Sequence, residues 1–284
     1  MATFYNQARL TLGETVINSN QTEGEILSQV RLCKTAVSTN YGPGDSIVYA
    51  VTLVNDGNTT KSDVSITDNL GEFSPGGVTV VPLSYVNGSV IYFLNGVEQP
   101  APTVTPGPPL VISGLDIPAN GNAIILYEVR ANEYAPRGAN ARITNEATAT
   151  GDELCDGLAD TAVIPTRDEP ILSIAKAIYP ETVSCGEEVT YTFIIQNFGN
   201  TAVVATDNLI VSDNFAPALN NITVRLNGTT LAEGVEYSYD EETGIFSTLG
   251  GAIPVPAATF ERDAVTGIVN TTPGVATLTV TGTI

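Results

Sequence analysis

Residues 32–58 read LCKTAVSTNYGPGDSIVYAVTLVNDGN, and residues 174–200 read IAKAIYPETVSCGEEVTYTFIIQNFGN. Laid together without a gap, at an offset of 142, they place Lys34 on Lys176, Gly44 on Gly186, Tyr49 on Tyr191 and Asn58 on Asn200. Each stretch holds an alternating run (SIVYAVTLV, EVTYTFIIQ) rich in β-branched and aromatic residues. Apolar side chains at period two specify a half-buried strand. Further on, VSITDNL at residues 64–70 is echoed by LIVSDNF at 209–215. A repeat of this length means two copies of one structural unit.

Outward from these stretches the punctuation is that of strands. Turn dipeptides recur at Asn87-Gly88, Asn95-Gly96 and Asn227-Gly228, with Asp56-Gly57 and Gly199-Asn200, and no stretch sustains a helical period. The reading is all-β: two tandem immunoglobulin-like β-sandwiches, over residues 28–165 and 171–284. Residues 166–170, TRDEP, join them as a short charged segment whose proline favours an extended, stiff connection.

At 284 residues and 43% hydrophobic content the chain is long and apolar enough for two cores. Eleven Lys and Arg against 31 Asp and Glu give a net charge of −20, which repels nucleic acid and anionic lipid. There is no His and no Trp, which removes the commonest general base and the usual imidazole ligand for transition metals. No calcium-loop pattern accompanies the acids, and they are scattered rather than paired for glycoside cleavage. The expectation is a non-enzyme without cofactor or metal, its acids forming a solvated surface. The start, MATFYNQARLTLGETV, has neither a basic n-region nor an apolar core, and no run of apolar residues is long enough to span a membrane. If the natural chain begins here it reaches an exterior by lysis or an unusual export route; otherwise a signal has been removed.

The two copies end differently. After AIILYEVRA the first continues with ITNEATATGDELCDGLADTAVI, two alternating runs around a polar turn, whereas the second stops at VATLTVTGTI. The chain nevertheless opens with FYNQARLTLGETVINSNQTEGEI, which fits the first copy's closing hairpin at an offset of 139: Phe4 on Ile143, Asn6 on Asn145, Ala8 on Ala147. A sandwich lacking its last strand pair exposes an apolar face and unpaired strand edges, and an isolated hairpin is marginal in water. Filling its own gap would take the hairpin back across a whole domain, a span of roughly 40 Å for strands rising ~3.3 Å per residue. The expectation is therefore that residues 1–27 complete the second domain of another copy, burying Phe4, Ala8, Leu10, Leu12, Val16 and Ile26. A head-to-tail contact that does not close yields a filament. The alternatives are that residues 1–27 are a leader or the edge of a longer array, and that the chain is a surface adhesin whose segment APTVTPGPPL forms a ligand-binding loop.

Parity along the strands picks out three polar residues in apolar rows. Lys34 shares a face with Val30, Leu32 and Ala36, as Lys176 does with Leu172, Ile174 and Ile178. Asp68 continues the row of Val64 and Ile66, as Asp213 does that of Leu209 and Val211, and Asn145 and Asn6 lie in the rows of Ile143 and Phe4. A buried lone charge is costly, so these groups must pair or react. One reading is a hydrogen-bonded Lys–Asp pair with the Asn amide satisfying the rest.

Three cysteines, an odd number, also need a place. In a tandem sandwich, Cys155 in the closing turn and Cys33 near the start of the first strand fall at the end facing the preceding domain, and Cys185 at the end facing the next subunit. The expectation is a disulfide from Cys185 of one subunit to Cys155, or else Cys33, of the next; the alternative is small, reduced, buried thiols.

The pattern K…G-[DE]-x-[IV]-x-Y-x-[VF]-x-[LI]-x-N-x-G-N, followed by [TS]-D-N and a closing N-[EQ]-A, resembles the bacterial conserved-repeat domain, domain of unknown function 11. In its doubling it is similar to duplicated-domain appendage proteins of clostridial spores. The resemblance implies a surface fibre, with a mother cell that later lyses accounting for the lack of a signal, and an attachment partner that the sequence does not name. The Lys, Asp and Asn set also resembles that of Gram-positive pilin domains, which implies a Lys–Asn isopeptide bond assisted by the acid. That bond would join Lys34 to Asn145 within the first domain, and Lys176 to Asn6 of a neighbouring subunit.

Overall fold

In the computed structural model of the chain, residues 2–26, 29–154 and 158–284 are described. Among them there is no α-helix, and the all-β expectation holds: strands make up the regular structure, with single 3-10 turns at Pro75–Gly77 and Ala205–Asp207. The chain divides into two compact units.

In the first, β1 (Ala2–Leu12) and β2 (Thr15–Ile26) form a two-stranded sheet of their own. The body follows with β3 (Val30–Ala36), β4 (Ser46–Asn55), β5 (Lys61–Asp68), β6 (Leu83–Tyr85), β7 (Ile91–Leu94), β8 (Val97–Gln99), β9 (Thr103–Thr105), β10 (Leu110–Ile117), β11 (Gly121–Ala131), β12 (Arg142–Thr150) and β13 (Leu158–Pro165). One sheet has the order β3-β4-β11-β7-β8, with β6 also on β11, and the other the order β13-β12-β5-β10-β9. Every second residue of β4 (Ile47, Tyr49, Val51, Leu53) and of β11 (Ala123, Ile125, Tyr127, Val129) is buried, as period-two alternation requires. Val64, Ile66, Leu110, Ile112, Ile143, Ala147 and Ala149 supply the core from the second sheet. Each large side chain so buried contributes about 1.5–3 kcal/mol. The closing pair β12–β13 lies beside β5, with Ala147 opposite Asp68 and Ala149 opposite Ile66.

The second unit contains β14 (Leu172–Tyr179), β15 (Glu188–Asn197), β16 (Ser212–Asn214), β17 (Asn220–Leu226), β18 (Thr229–Thr230), β19 (Tyr237–Tyr239), β20 (Ile245–Thr248), β21 (Thr259–Arg262), β22 (Val269–Thr272) and β23 (Gly274–Thr283). Its sheets have the orders β14-β15-β23-β17-β18, β16-β20-β19 and β21-β22. Phe193, Phe215, Phe246, Leu278 and Val280 are among its core residues. Here β16 is an edge strand, whereas β5, its counterpart by sequence, is flanked on both sides.

The repeated N-x-G-N motif has a structural task in both units. Asn55 Nδ2 donates to Thr59 O (2.8 Å) and Ile117 O (3.1 Å) while Oδ1 accepts from Gly57 N (2.9 Å). Asn197 repeats this with Thr201 O (2.7 Å), Pro256 O (3.1 Å) and Gly199 N (2.9 Å). A side chain at Gly199 would stand 2.1 Å from Glu169 O, so this turn requires glycine.

The division between units falls at Ile164 and Pro165, beside the boundary read from sequence. Three features differ from that reading. Pro75–Val78, placed by sequence in the first domain, falls in the second unit. TRDEP, read as a linker between the domains, belongs to the second unit: Thr166 N donates to Ala141 O (2.8 Å), Asn200 Nδ2 to Asp168 Oδ1 (2.7 Å) and Glu169 N to Asn200 Oδ1 (3.1 Å). Glu133–Arg142, placed by sequence in the first domain, belongs to the second unit. There Val269 N donates to Glu133 O (3.0 Å) and Arg262 Nη2 to Tyr134 O (3.0 Å). The hairpin β21–β22 precedes β23, where the first copy joins β10 to β11 by a short turn, and this extra hairpin supplies the partners.

Candidate functional site

Strands β3, β5 and β12 bring Lys34, Asp68 and Asn145 together in the first unit, all three fully or almost fully buried. Lys34 Nζ lies 2.5 Å from Asp68 Oδ2, with both side chains shut off from solvent. Asn145 Nδ2 lies 3.5 Å from the same oxygen, and Gly71 N donates to Asn145 Oδ1 at 3.0 Å. Asp68 Oδ1 accepts from Leu70 N at 2.7 Å. The juxtaposition read from strand parity is thus present.

Two residues that the sequence reading passed over complete the cluster. Tyr127 donates its hydroxyl to Asp68 Oδ2, and the ring of Tyr49 lies 4.9 Å from Lys34 Nζ. The Tyr49 hydroxyl is buried beside Asn145 without a hydrogen bond of ordinary geometry. Both tyrosines sit in the buried rows of β4 and β11, so strand parity places their rings in the core but does not bring their hydroxyls to this cluster. Burial lowers the Lys34 ammonium to about 8, against the opposing pull of the Asp68 carboxylate. Burial, with the Asp68 charge adding to it, pushes both phenols up. From β13, Asp160 Oδ2 accepts from Lys34 N at 2.8 Å, tying the closing hairpin to β3.

In the second unit the same plan is uncovered. Lys176 Nζ bonds Asp213 Oδ2, but 40% of the lysine side chain and 19% of the aspartate remain exposed. The ammonium lies over the rings of Tyr191 (4.5 Å), Phe215 (5.3 Å) and Phe193 (5.5 Å). Every residue of β14 is exposed: Leu172 stands at 40%, where Val30, its counterpart on β3, stands at 4%. Asn69 N donates to Glu146 O and Asn69 Oδ1 accepts from Glu146 N, each at 3.0 Å, which clamps β12 onto β5. Asn214 holds the matching position at the edge of the second unit.

The N-terminal hairpin shows the complementary condition. Phe4, Leu10, Leu12, Val16 and Ile17 are all exposed, Leu10 at 65% and Leu12 at 81%. Gly13, at φ +57°, begins the two-residue turn between Leu12 and Thr15, a position that favours glycine. A bulge opposite Ala8, where Ala8 N donates to Ser19 Oγ at 2.9 Å, shifts the pairing of β2 by one residue. Asn6 and Leu10 share the face of Phe4, Ala8 and Leu12, and Ile17 joins it opposite Leu10. Val16 pairs with Thr11 and therefore lies on the other face, so Ile17 takes the place the sequence reading gave to Val16. Ile26 pairs with Ala2 at the open end of the hairpin.

Cys33 and Cys185 are exposed free thiols, which removes the buried-thiol alternative for both. Cys155 lies outside the described residues. No helix among the described residues is long and apolar enough to cross a membrane.

No family profile and no curated protein matches the chain. Among solved structures, the pilus backbone protein RrgB of Streptococcus pneumoniae is 10% identical over 87% of this chain, with a TM-score of 0.37. The chain spans 55% of that protein's length. The major pilin subunit BcpA of Bacillus cereus is 12% identical, covering 95% of this chain and 66% of its own, with a TM-score of 0.36. The collagen-binding domain of a Staphylococcus aureus adhesin is 10% identical over 50% of this chain and all of its own, with a TM-score of 0.32.

Proposed function

We propose that the chain is a structural, non-enzymatic subunit of an extracellular fibre on a cell or spore surface, in which β1–β2 of one copy completes the second unit of the next. A single observation carries this reading. The first unit covers β5 and Lys34 with its own β12–β13, while the second leaves β16 an edge and β14 exposed, and a hairpin of matching sequence lies exposed at the start of the chain. In the seated register, taken from β12 on β5, Ala8 lies opposite Asp213 and Leu10 opposite Val211. Gln7 then meets Asn214 as Glu146 meets Asn69. Strand addition of this kind supplies main-chain hydrogen bonds for affinity and side-chain pockets for register. The contact is heterologous, so repeated copies build an open filament, and the net charge of −20 keeps neighbouring filaments apart. In the same reading, Cys185 forms an intersubunit disulfide with Cys155 or Cys33.

Deletion of residues 1–27 tests the proposal directly. Electron microscopy of the purified deletion should show no filaments, while circular dichroism and thermal melting still report a folded β-protein. Filaments of unchanged repeat from the deleted chain would overturn the reading.

A further inference from the structure

We propose that each joint of the fibre is sealed by an amide bond between Lys176 Nζ of one copy and the Asn6 side chain of the next, formed with loss of ammonia only after the hairpin has docked. This rests on the hairpin-donation reading, and its chemistry is drawn from the first unit, where the same three residue types stand assembled.

In that unit a single carboxylate oxygen touches both reacting groups: Asp68 Oδ2 lies 2.5 Å from Lys34 Nζ and 3.5 Å from Asn145 Nδ2. The amide oxygen of Asn145 is held by Gly71 N, which orients the carboxamide and supports charge developing on that oxygen. Burial that lowers the lysine to about 8 makes the neutral, nucleophilic amine accessible near neutrality. In the reaction Nζ attacks Cγ, the Cγ–Nδ2 bond breaks, and the aspartate carries a proton from the attacking amine to the departing nitrogen. Amine and carboxamide become a secondary amide and one ammonia, and the carboxyl group is restored.

At the joint, Lys176 and Asp213 are already paired above three aromatic rings. In the free subunit, among the described residues, Lys176 Nζ bonds the Asp213 carboxylate and no carboxamide, and the amine stays partly in water. The seated hairpin supplies both missing elements, because Asn6 occupies the position of Asn145, two residues from Ala8, and β1–β2 covers Lys176 as β12–β13 covers Lys34. The bond therefore forms on assembled fibre and not on free subunits.

Fibres of the wild-type, Asn6→Ala and Lys176→Arg chains are to be imaged, then boiled in detergent with reductant, resolved by size and mapped by mass spectrometry. The expected result is fibres from all three, a ladder of multimers from the wild type alone, and a wild-type peptide joining Asn6 to Lys176 that is lighter by one ammonia. Wild-type fibres that run wholly as monomer, or a ladder that persists in both variants, would overturn the seal and leave hairpin donation standing. A wild-type chain that forms no fibres would overturn both.

Discussion

Leu10 offers the cleanest measure of what hairpin docking contributes. It is 65% exposed in the free hairpin, and the position it matches in the first unit, Ala149, is buried. Replacement by Ala removes three carbons, each contributing about 0.8 kcal/mol when taken out of water. With about two-thirds of the side chain left to bury on docking, the loss per joint comes to about 1–2 kcal/mol. That raises the critical concentration for polymerisation about tenfold, since ~1.4 kcal/mol is a factor of ten in an equilibrium constant. The assay is sedimentation of fibres over a dilution series, done in the Asn6→Ala background so that the joint stays reversible. Thr11→Ala serves as the control, because Thr11 lies on the opposite face of the hairpin. Equal critical concentrations for Leu10→Ala and Thr11→Ala would refute the assignment of the docking face.

Stability of the first unit should depend on pH, and the effect is isolated in an Asn145→Ala chain, where Lys34 has no carboxamide to react with. Its folded value of about 8 lies below the ordinary 10.5, so the unfolded chain binds more protons between these values and stability rises with pH. Urea titrations at pH 8 and pH 9, below the pH at which the tyrosines of the unfolded chain ionise, should differ by roughly 1 kcal/mol in favour of pH 9. The groups facing Lys34 are Asp68, Glu146 and Asp160, and a flat or falling profile would mean that Lys34 is charged and well solvated. Non-reducing peptide maps of assembled fibre should contain a Cys185 peptide disulfide-linked to one carrying Cys155 or Cys33. A map in which Cys185 is always free would remove the disulfide from the assembly.

Strand parity carried the sequence reading furthest. Lys34, Asp68 and Asn145 were legible as one cluster because each breaks an apolar row, and a charge so placed must meet a partner when the rows face each other. Tyr49 and Tyr127 went unread because a tyrosine in such a row looks like ordinary core; only the packed sheets turn the Tyr127 hydroxyl onto Asp68 and leave the Tyr49 hydroxyl beside Asn145. The place of Ile17 was hidden by the bulge opposite Ala8, since one extra residue reverses which side chains face the core. Glu133–Arg142 was assigned to the wrong unit because its backbone partners, on β21 and β22, lie more than a hundred residues away.

The amino-acid order settles those properties that act over one or two residues: strand from period-two alternation, turns from Asn-Gly and Gly-Asn pairs, and duplication with a displaced closing hairpin from self-comparison. Packing decides what depends on distant segments meeting. It determines that Asp68 is shared by a lysine, an asparagine and a tyrosine from three other strands, that burial brings Lys34 to about 8, and that β14 stands exposed where β3 is covered. Alternation is imposed by the local geometry of the backbone, whereas burial and charge coupling arise only when residues far apart in sequence exclude water from the same small volume.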